Sequence, residues 1–513
     1  MNNTVKVLLG AGFAVLVAYY ANSIVGEHSH GGFLVLAAIF GAYMAMNIGA
    51  NDVANNVGPA VGSGALTIGG AIIIASIFEA GGALIAGGDV VGTIKKGIID
   101  PAAFGNDPMV FVYAMSAALL AAALWLNLAT WLKAPVSTTH SIVGGVLGGG
   151  IAAGGFDIVS WGTMGKIAAS WVISPVLGGV IAAIFLYVIK SQILYKEDKL
   201  TAAKKIVPIL VALMAAAFMT YLTLKGLKKV WPVIVDTLSF LPQTKKPSLF
   251  IALLFGLIGA SVTFMIVKPR IAKKVLGMEA TRKSINLLFT IPLIFAAAML
   301  SFAHGANDVA NAVGPLAAVY DALSNTAVST KVAIPLWVMV VGGVGISIGL
   351  ALFGPRLIKT VGSEITELDQ MRAFSIMMAA SITVVIASQL GLPVSSTHIA
   401  VGAIFGVGFL REWLDSKNMG EKQEKLKVEV DKQNRLKEQL SELKSEEEYK
   451  KQLELMKSLK VQKKRVKSLK RALRENYVKR GMVKKIVAAW VITVPAAAVL
   501  SAIIFFVLKG FAV

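Results

Sequence analysis

A chain of 513 residues with 56% hydrophobic side chains, 15% charged ones and a mean hydropathy of +0.71 lies far outside the soluble range and reads as a polytopic membrane protein. Its net charge of +21 does not indicate nucleic-acid binding: 24 Lys and Arg against 13 Asp and Glu fall within residues 411–485, and most of the remaining excess sits in short loops between apolar runs. With no cysteine, the chain has neither disulfides nor thiolate metal sites.

Residues 7–25 are apolar and long enough to form a first span. The alternative, a secretory signal, lacks a small-x-small cleavage site, and the segment has a counterpart at 248–267. The loop 26–32 carries His28 and His30, which have no third ligand nearby and read as solvated. Residues 33–66 are too long for one straight span, so a break is expected at Asn47, Gly49, Asn51 and Gly58-Pro59, with free carbonyls and amides lining a site. Residues 71–86 form the next span and carry Glu79, and 89–108 read as a loop. The run 109–132 then meets Ala134-Pro135-Val136-Ser137-Thr138-Thr139-His140 and the glycine-rich stretch 141–155. A proline that ends one helix and a Ser/Thr cluster that caps another predict a re-entrant helical hairpin with a polar tip. Residues 167–189 close the first set, and 206–224 form one linking span.

The second half repeats the first. Its members are the span 248–267, a broken segment 285–319, the span 332–353, a hairpin 373–410 around Leu392-Pro393-Val394-Ser395-Ser396-Thr397-His398, and a last span 485–508. Gly-Ala-Asn-Asp-Val-Ala-Asn-Asn-Val-Gly-Pro at 49–59 recurs at 305–315 with one change, Asn56 to Ala312. An Asp inside an apolar span costs about 3 kcal/mol, so its repetition with Asn partners predicts an intramembrane site. The expected fold class is all-α and polytopic, with two inverted repeats containing broken helices and re-entrant hairpins, as in secondary transporters. The divisions are 1–189, 190–247, 248–410, 411–484 and 485–513. Basic loops at 190–205, at 268–283 and from 411 onward place that face in the cytoplasm, with the N-terminus inside, the loops 26–32 and 320–331 outside and the C-terminus external. Lys95, Lys96, Lys225, Lys228 and Lys229 run against this scheme.

Residues 421–480 lack Gly and Pro and are rich in Lys, Glu, Leu and Gln, a helical composition. Leu455, Leu459, Gln462, Val466, Leu469 and Leu473 follow heptad spacing, and Ser445 with Glu448 forms a capping box. This cytoplasmic helical or coiled-coil insert reads as a solvated addition, as a homo-oligomerisation seam or, through the basic cluster 463–474, as a contact with anionic lipid.

Asp52 and Asp308 with several Asn oxygens are hard ligands suited to Na+, or carriers of a proton. The hydroxyls at the hairpin tips, Ser137, Thr138, Thr139, Ser395, Ser396 and Thr397, sit at helix starts and suit an oxyanion. No Arg or Lys lies within residues 49–59, 305–315, 135–140 or 393–398, so an anion here requires helix dipoles and mobile cations, a physical reason for cation coupling. His140 and His398 fit core hydrogen bonding or proton handling. Glu79 has no counterpart in the second half, where the matching region near Ile346 is apolar, and it pairs locally or serves the site asymmetrically.

On the duplicated motif, on the tips at 135–140 and 393–398 and on Phe78-Glu79-Ala80-Gly81, the chain resembles the inorganic phosphate transporter family over residues 33–410 and the last span. The resemblance implies a cation-coupled phosphate symporter of the cell membrane rather than an enzyme. It carries no resident cofactor, and Na+ is co-transported, with H+ as the alternative. Asn51, Asp52, Asn55, Asn307, Asp308 and Asn311 would bind the cation, the six hairpin hydroxyls the phosphate, and Glu79, His140 and His398 would be accessory. The charged insert departs from the pattern of animal members, whose large hydrophilic loop lies between the halves. A sulfate permease and an anion channel are the competing readings.

Overall fold

The computed structural model describes residues 2–25, 31–104, 107–132, 136–238, 241–324, 334–364, 368–416, 419–442, 449–474 and 480–511. His28, His30, Pro135, residues 325–331 of the expected outer loop and the Ser445–Glu448 box lie outside them. The described residues are helical apart from loops and one isolated bridge, Ile99 to Val159, and eleven stretches are long and apolar enough to cross a membrane. The protein is an integral multi-pass membrane protein.

The first half comprises α1 (Asn3–Val25), α2 (Gly31–Gly62), α3 (Ile68–Ala86), the short α4 (Gly88–Lys96), α5 (Pro108–Trp131), α6 (Thr138–Gly154) and α7 (Trp161–Ile189). α8 (Lys199–Gly226) and α9 (Trp231–Thr237) follow. The second half runs through α10 (Leu249–Val275), α11 (Arg282–Leu288), α12 (Thr290–Asp308), α13 (Ala310–Ser324), α14 (Leu336–Glu364), α15 (Gln370–Gln389) and α16 (Ser396–Ser416) to α19 (Arg480–Phe511). Between them lie α17 (Met419–Glu442) and α18 (Tyr449–Arg474).

Lipid gives helices no hydrophobic reason to associate, so close packing at small residues has to hold them together. Glycines supply it here, and the tightest contacts at the motifs and hairpins join helices of different halves. A Cβ on Gly49 of α2 would stand 1.9 Å from Ile346 O of α14, and one on Gly349 the same distance from Met46 O. The second motif copies this crossing: a Cβ on Gly305 of α12 would stand 2.0 Å from Glu79 O of α3, and one on Gly82 2.0 Å from Phe302 O. The hairpins follow the same rule. Gly148 of α6 faces Ala498 O of α19 at 2.1 Å, and Gly402 of α16 faces Pro175 O of α7 at 2.2 Å. The two hairpins therefore meet in the middle, each backed by a helix from the opposite half.

The expected break in the first motif is absent: α2 runs unbroken through Asn47, Gly49 and Asn51, with Pro59 in its last turn. Its polar side chains find partners sideways, on the hairpins, and the backbone has no need to unwind. The second motif is interrupted at Val309 alone, whose N–H still reaches Gly305 O at 3.3 Å, so this is a kink and not an unwound segment. Residues 89–108, expected as loop, contain α4 and a one-turn 3-10 helix, Pro101–Phe104. Three of the cations that ran against the charge scheme make ion pairs through α4 or its partners. Lys95 pairs with buried Asp321 of α13 at 3.0 Å, and Asp89 pairs with Lys225 and, at 2.8 Å, with Lys228. Burial pushes the Asp89 carboxyl up, but the two lysines outweigh that and hold it below the usual range.

Met1–Val407 with Arg480–Val513 form one compact unit, and Gly408–Lys479 another. Within the second, α18 packs along α17 through the seam positions Leu459, Gln462 and Val466, all buried, and Gln462 donates to Glu429 O at 2.8 Å.

Candidate functional site

The two motifs bring Asp52 and Asp308, both fully buried, to the N-terminal ends of the hairpin helices α6 and α16. Ser137 and Ser395 begin those helices as caps: each Oγ accepts the N–H three residues on, from His140 at 3.1 Å and from His398 at 3.2 Å. The next hydroxyl in each hairpin donates to the Asp of its own half. Thr138 Oγ1 reaches Asp52 Oδ2 at 2.8 Å, and Ser396 Oγ reaches Asp308 Oδ2 at 3.2 Å. The third hydroxyl accepts from the Asn of the other half. Asn311 donates to Thr139 Oγ1 at 3.2 Å, and Asn55 donates to Thr397 Oγ1 at 2.8 Å. Thr397 Oγ1 also stands 3.1 Å from Asp52 Oδ1, and Thr138 Oγ1 stands 3.4 Å from Asp308 Oδ2. The set of polar contacts is thus approximately two-fold, and every hairpin hydroxyl flagged by the sequence lies in it or caps it.

Asn51 and Asn307 have a different task from Asn55 and Asn311. Asn307 donates to Ser388 Oγ at 2.9 Å and to Leu392 O at 3.1 Å, and accepts from Val394 N at 3.3 Å, which ties the whole α15–α16 turn to the motif. Asn51 does the same to the α5–α6 turn. With its amide in the orientation that satisfies both ends, it accepts from Thr130 Oγ1 at 3.1 Å and donates to Val136 O and Asp52 Oδ1 at 3.2 Å. Thr139 Oγ1 fastens hairpin to hairpin by donating to Val394 O at 2.8 Å.

One network has no twin. Asn56 donates to Glu79 Oε1 at 2.8 Å, and Glu79 Oε2 lies 3.3 Å from Nδ1 of His304. His304 Nε2 lies 3.1 Å from Asp308 Oδ2 and 3.6 Å from Asp52 Oδ2. At the matching places of the other half stand Ala312, Ile346 and Ile48, an apolar set. This explains the single difference between the two motif copies: Asn56 is polar because it faces Glu79, and Ala312 is not because its half has no such carboxylate. His304 was not singled out from the sequence, although a residue four places before Asp308 shares its helix face. Asp52, His304 and Asp308 present ligand atoms within 4.8 Å of one another.

The main-chain N–H groups of His140 and His398 serve the two caps, but their ring nitrogens hydrogen-bond none of the hairpin hydroxyls. Their rings meet edge to face at 4.4 Å, each against a tryptophan, Trp171 at 3.8 Å and Trp490 at 3.6 Å. They fill the seam where the hairpins and their backing helices converge.

Carboxylates, amide oxygens and hydroxyls drawn from both halves can hold a small cation, and hydroxyls at two helix N-termini can hold an oxyanion beside it. The sequence profile of the Phosphate transporter family matches residues 48–501, which contain all of these groups. The chain belongs to that family. Similar members include a Helicobacter pylori (strain J99) protein named "Putative phosphate permease", 50% identical over 98% of this chain and 95% of its own. A permease of the same designation from Pyrococcus abyssi is 40% identical over 74% of this chain and 89% of its own. Among solved structures, "The sodium-dependent phosphate transporter" superposes with a TM-score of 0.74 at 33% identity, covering 93% of this family member and 99% of that chain.

Proposed function

We propose that this family member is a Na+-coupled symporter of inorganic phosphate that works by alternating access, with its two halves inverted about the hairpin pair. The observation that carries this reading is the sharing of hydroxyls between the two aspartates: Thr138 stands within 3.4 Å of both Asp52 and Asp308. In this reading Asp52 with Asn55, and Asp308 with Asn311, hold Na+, while the hydroxyls of Thr138, Ser396 and Thr397 turn from the carboxylates, and that of Thr139 from Val394 O, to the phosphate once the cations neutralise the aspartates. Ser137 and Ser395 serve through the caps that aim N–H groups at the anion, and Asn51 and Asn307 hold the hairpin turns in register. Because each carboxylate needs a cation before the hydroxyls are released, Na+ and phosphate raise each other's affinity. The name of the solved relative supports sodium as the coupling ion.

A second reading, proton coupling, is favoured by His304, whose ring lies within 3.6 Å of three carboxylates and supplies a protonatable group at the centre. Uptake into proteoliposomes under an imposed Na+ gradient, and separately under an imposed pH gradient, decides between them. The proposal expects accumulation with Na+ alone; accumulation with the pH gradient alone and indifference to Na+ would replace it by the proton reading. Competition by sulfate tests the anion.

A further inference from the structure

At the second motif, Phe302, Ala306 and Val385 are covered by Tyr221, with Phe218 and Leu222 beside it, all from α8. Tyr221 is 1% exposed, and both aromatic rings stand edge to face on Phe302, at 5.3 Å for Phe218 and 6.2 Å for Tyr221. In the register set by Gly49 with Gly305 and by Ser137 with Ser395, the same three places in the first half are Met46, Ala50 and Asn127. There α1 lies over Met46 with small residues, Gly10, Ala11 and Ala14, where α8 brings aromatic rings, and the space is left partly unfilled. Met46, Ala50 and Asn127 line a cavity of about 540 Å³ between α1, α2, the tip of α5 and α14.

The filled copy shows what this groove takes, a large apolar group. The open copy differs from it in two respects. Where the filled groove has Val385, the open one has Asn127, exposed near the C-terminal end of α5, and Lys6 of α1 stands in the same wall. An amide and a lysine in an otherwise largely apolar wall favour an occupant that brings polar and negatively charged groups to them. The occupant therefore needs an apolar body and an anionic head, and the bilayer around α1 offers one in quantity.

We infer that the cavity is a binding site for an anionic phospholipid, its acyl chain lying against Met46, Ala14 and Phe353 and its phosphate meeting Lys6 and Asn127. The site has a route to transport. Thr130, which lines the cavity, donates the hydrogen bond at 3.1 Å that ties the first hairpin to Asn51, so a bound lipid braces the first clamp as α8 braces the second.

The test uses the full chain, purified from membranes containing equal phosphatidylglycerol and phosphatidylcholine and examined by native mass spectrometry. The expected result is one retained phosphatidylglycerol per chain. Lys6→Gln lowers the preference for phosphatidylglycerol over phosphatidylcholine about tenfold, and Ala14→Phe, which fills the cavity, removes the retained lipid. A retained lipid unchanged in both variants overturns the site. So does a retained lipid that shows no headgroup preference in the wild type. Efficient disulfide crosslinking of Ala11→Cys between two chains in the membrane would assign the groove to a second copy and overturn the lipid assignment.

Discussion

Gly49→Ala perturbs the protein at the point where sequence and packing meet. The added methyl would stand 1.9 Å from Ile346 O, 2.8 Å from Ile346 C and 2.9 Å from Leu350 N, all main-chain atoms that no rotamer change can move. An ordinary carbon–oxygen contact needs about 3.3 Å, so α14 and α2 have to part by somewhat more than 1 Å. Overpacking of this kind costs about 1–3 kcal/mol, and here it also shifts Asn51 and Asp52, which follow within one turn. A displacement of about 1 Å in a positioning group lowers turnover about a hundredfold. The assay is phosphate uptake per inserted molecule together with thermal unfolding in detergent. Gly10→Ala serves as the control, because its methyl meets only Met46 Sδ, at an ordinary 3.5 Å. Wild-type uptake and melting temperature in Gly49→Ala would refute the argument that this glycine is a helix-crossing contact.

Asn307→Ala removes three hydrogen bonds from the α15–α16 turn, about 3 kcal/mol at roughly 1 kcal/mol each, and should raise amide hydrogen exchange across residues 388–394; unchanged exchange there would count against the clamp. Glu79→Gln keeps an acceptor for Asn56 but leaves His304 without that carboxylate, and uptake is expected to fall at least tenfold in protein that still inserts; near-normal uptake would make the Asn56–Glu79–His304 network structural only. Replacement of residues 421–480 by a short flexible linker should leave measurable transport, since the duplicated polar motifs all lie in the other compact unit. Complete loss in a folded, inserted variant would bring the insert into the mechanism.

The span pattern and the clustering of the candidate site residues were legible in the sequence because both are written twice. A repeated Asp among apolar residues has few structural uses, and repetition in register identified the hairpin hydroxyls as well. The misreadings share a cause. Asn47, Gly49, Asn51 and Gly58-Pro59 suggested an unwound helix because sequence shows a polar or small residue but not its neighbour. In the fold, the amide of Asn47 donates to its own helix at Tyr43 O, Gly49 makes room for α14, and Asn51 bonds the opposite turn. The asymmetric residues were harder still. Glu79 stood out as a charge without a twin, but His304 lay in a place where the other copy has Ile48, so comparison of the repeats passed over it. The open groove beside Asn127 was invisible for a similar reason: only packing shows that α8 fills one copy and leaves the other.

The central claim is that the two halves build one site, and Na+-driven phosphate uptake by Asp52→Asn, Asp308→Asn and the double variant tests it most directly. Groups that act as a unit are non-additive, so each single variant should lose at least tenfold in uptake, with the double variant little worse than either. Substantial uptake retained in each single variant, with losses that simply multiply in the double, would mean that the aspartates belong to two independent sites.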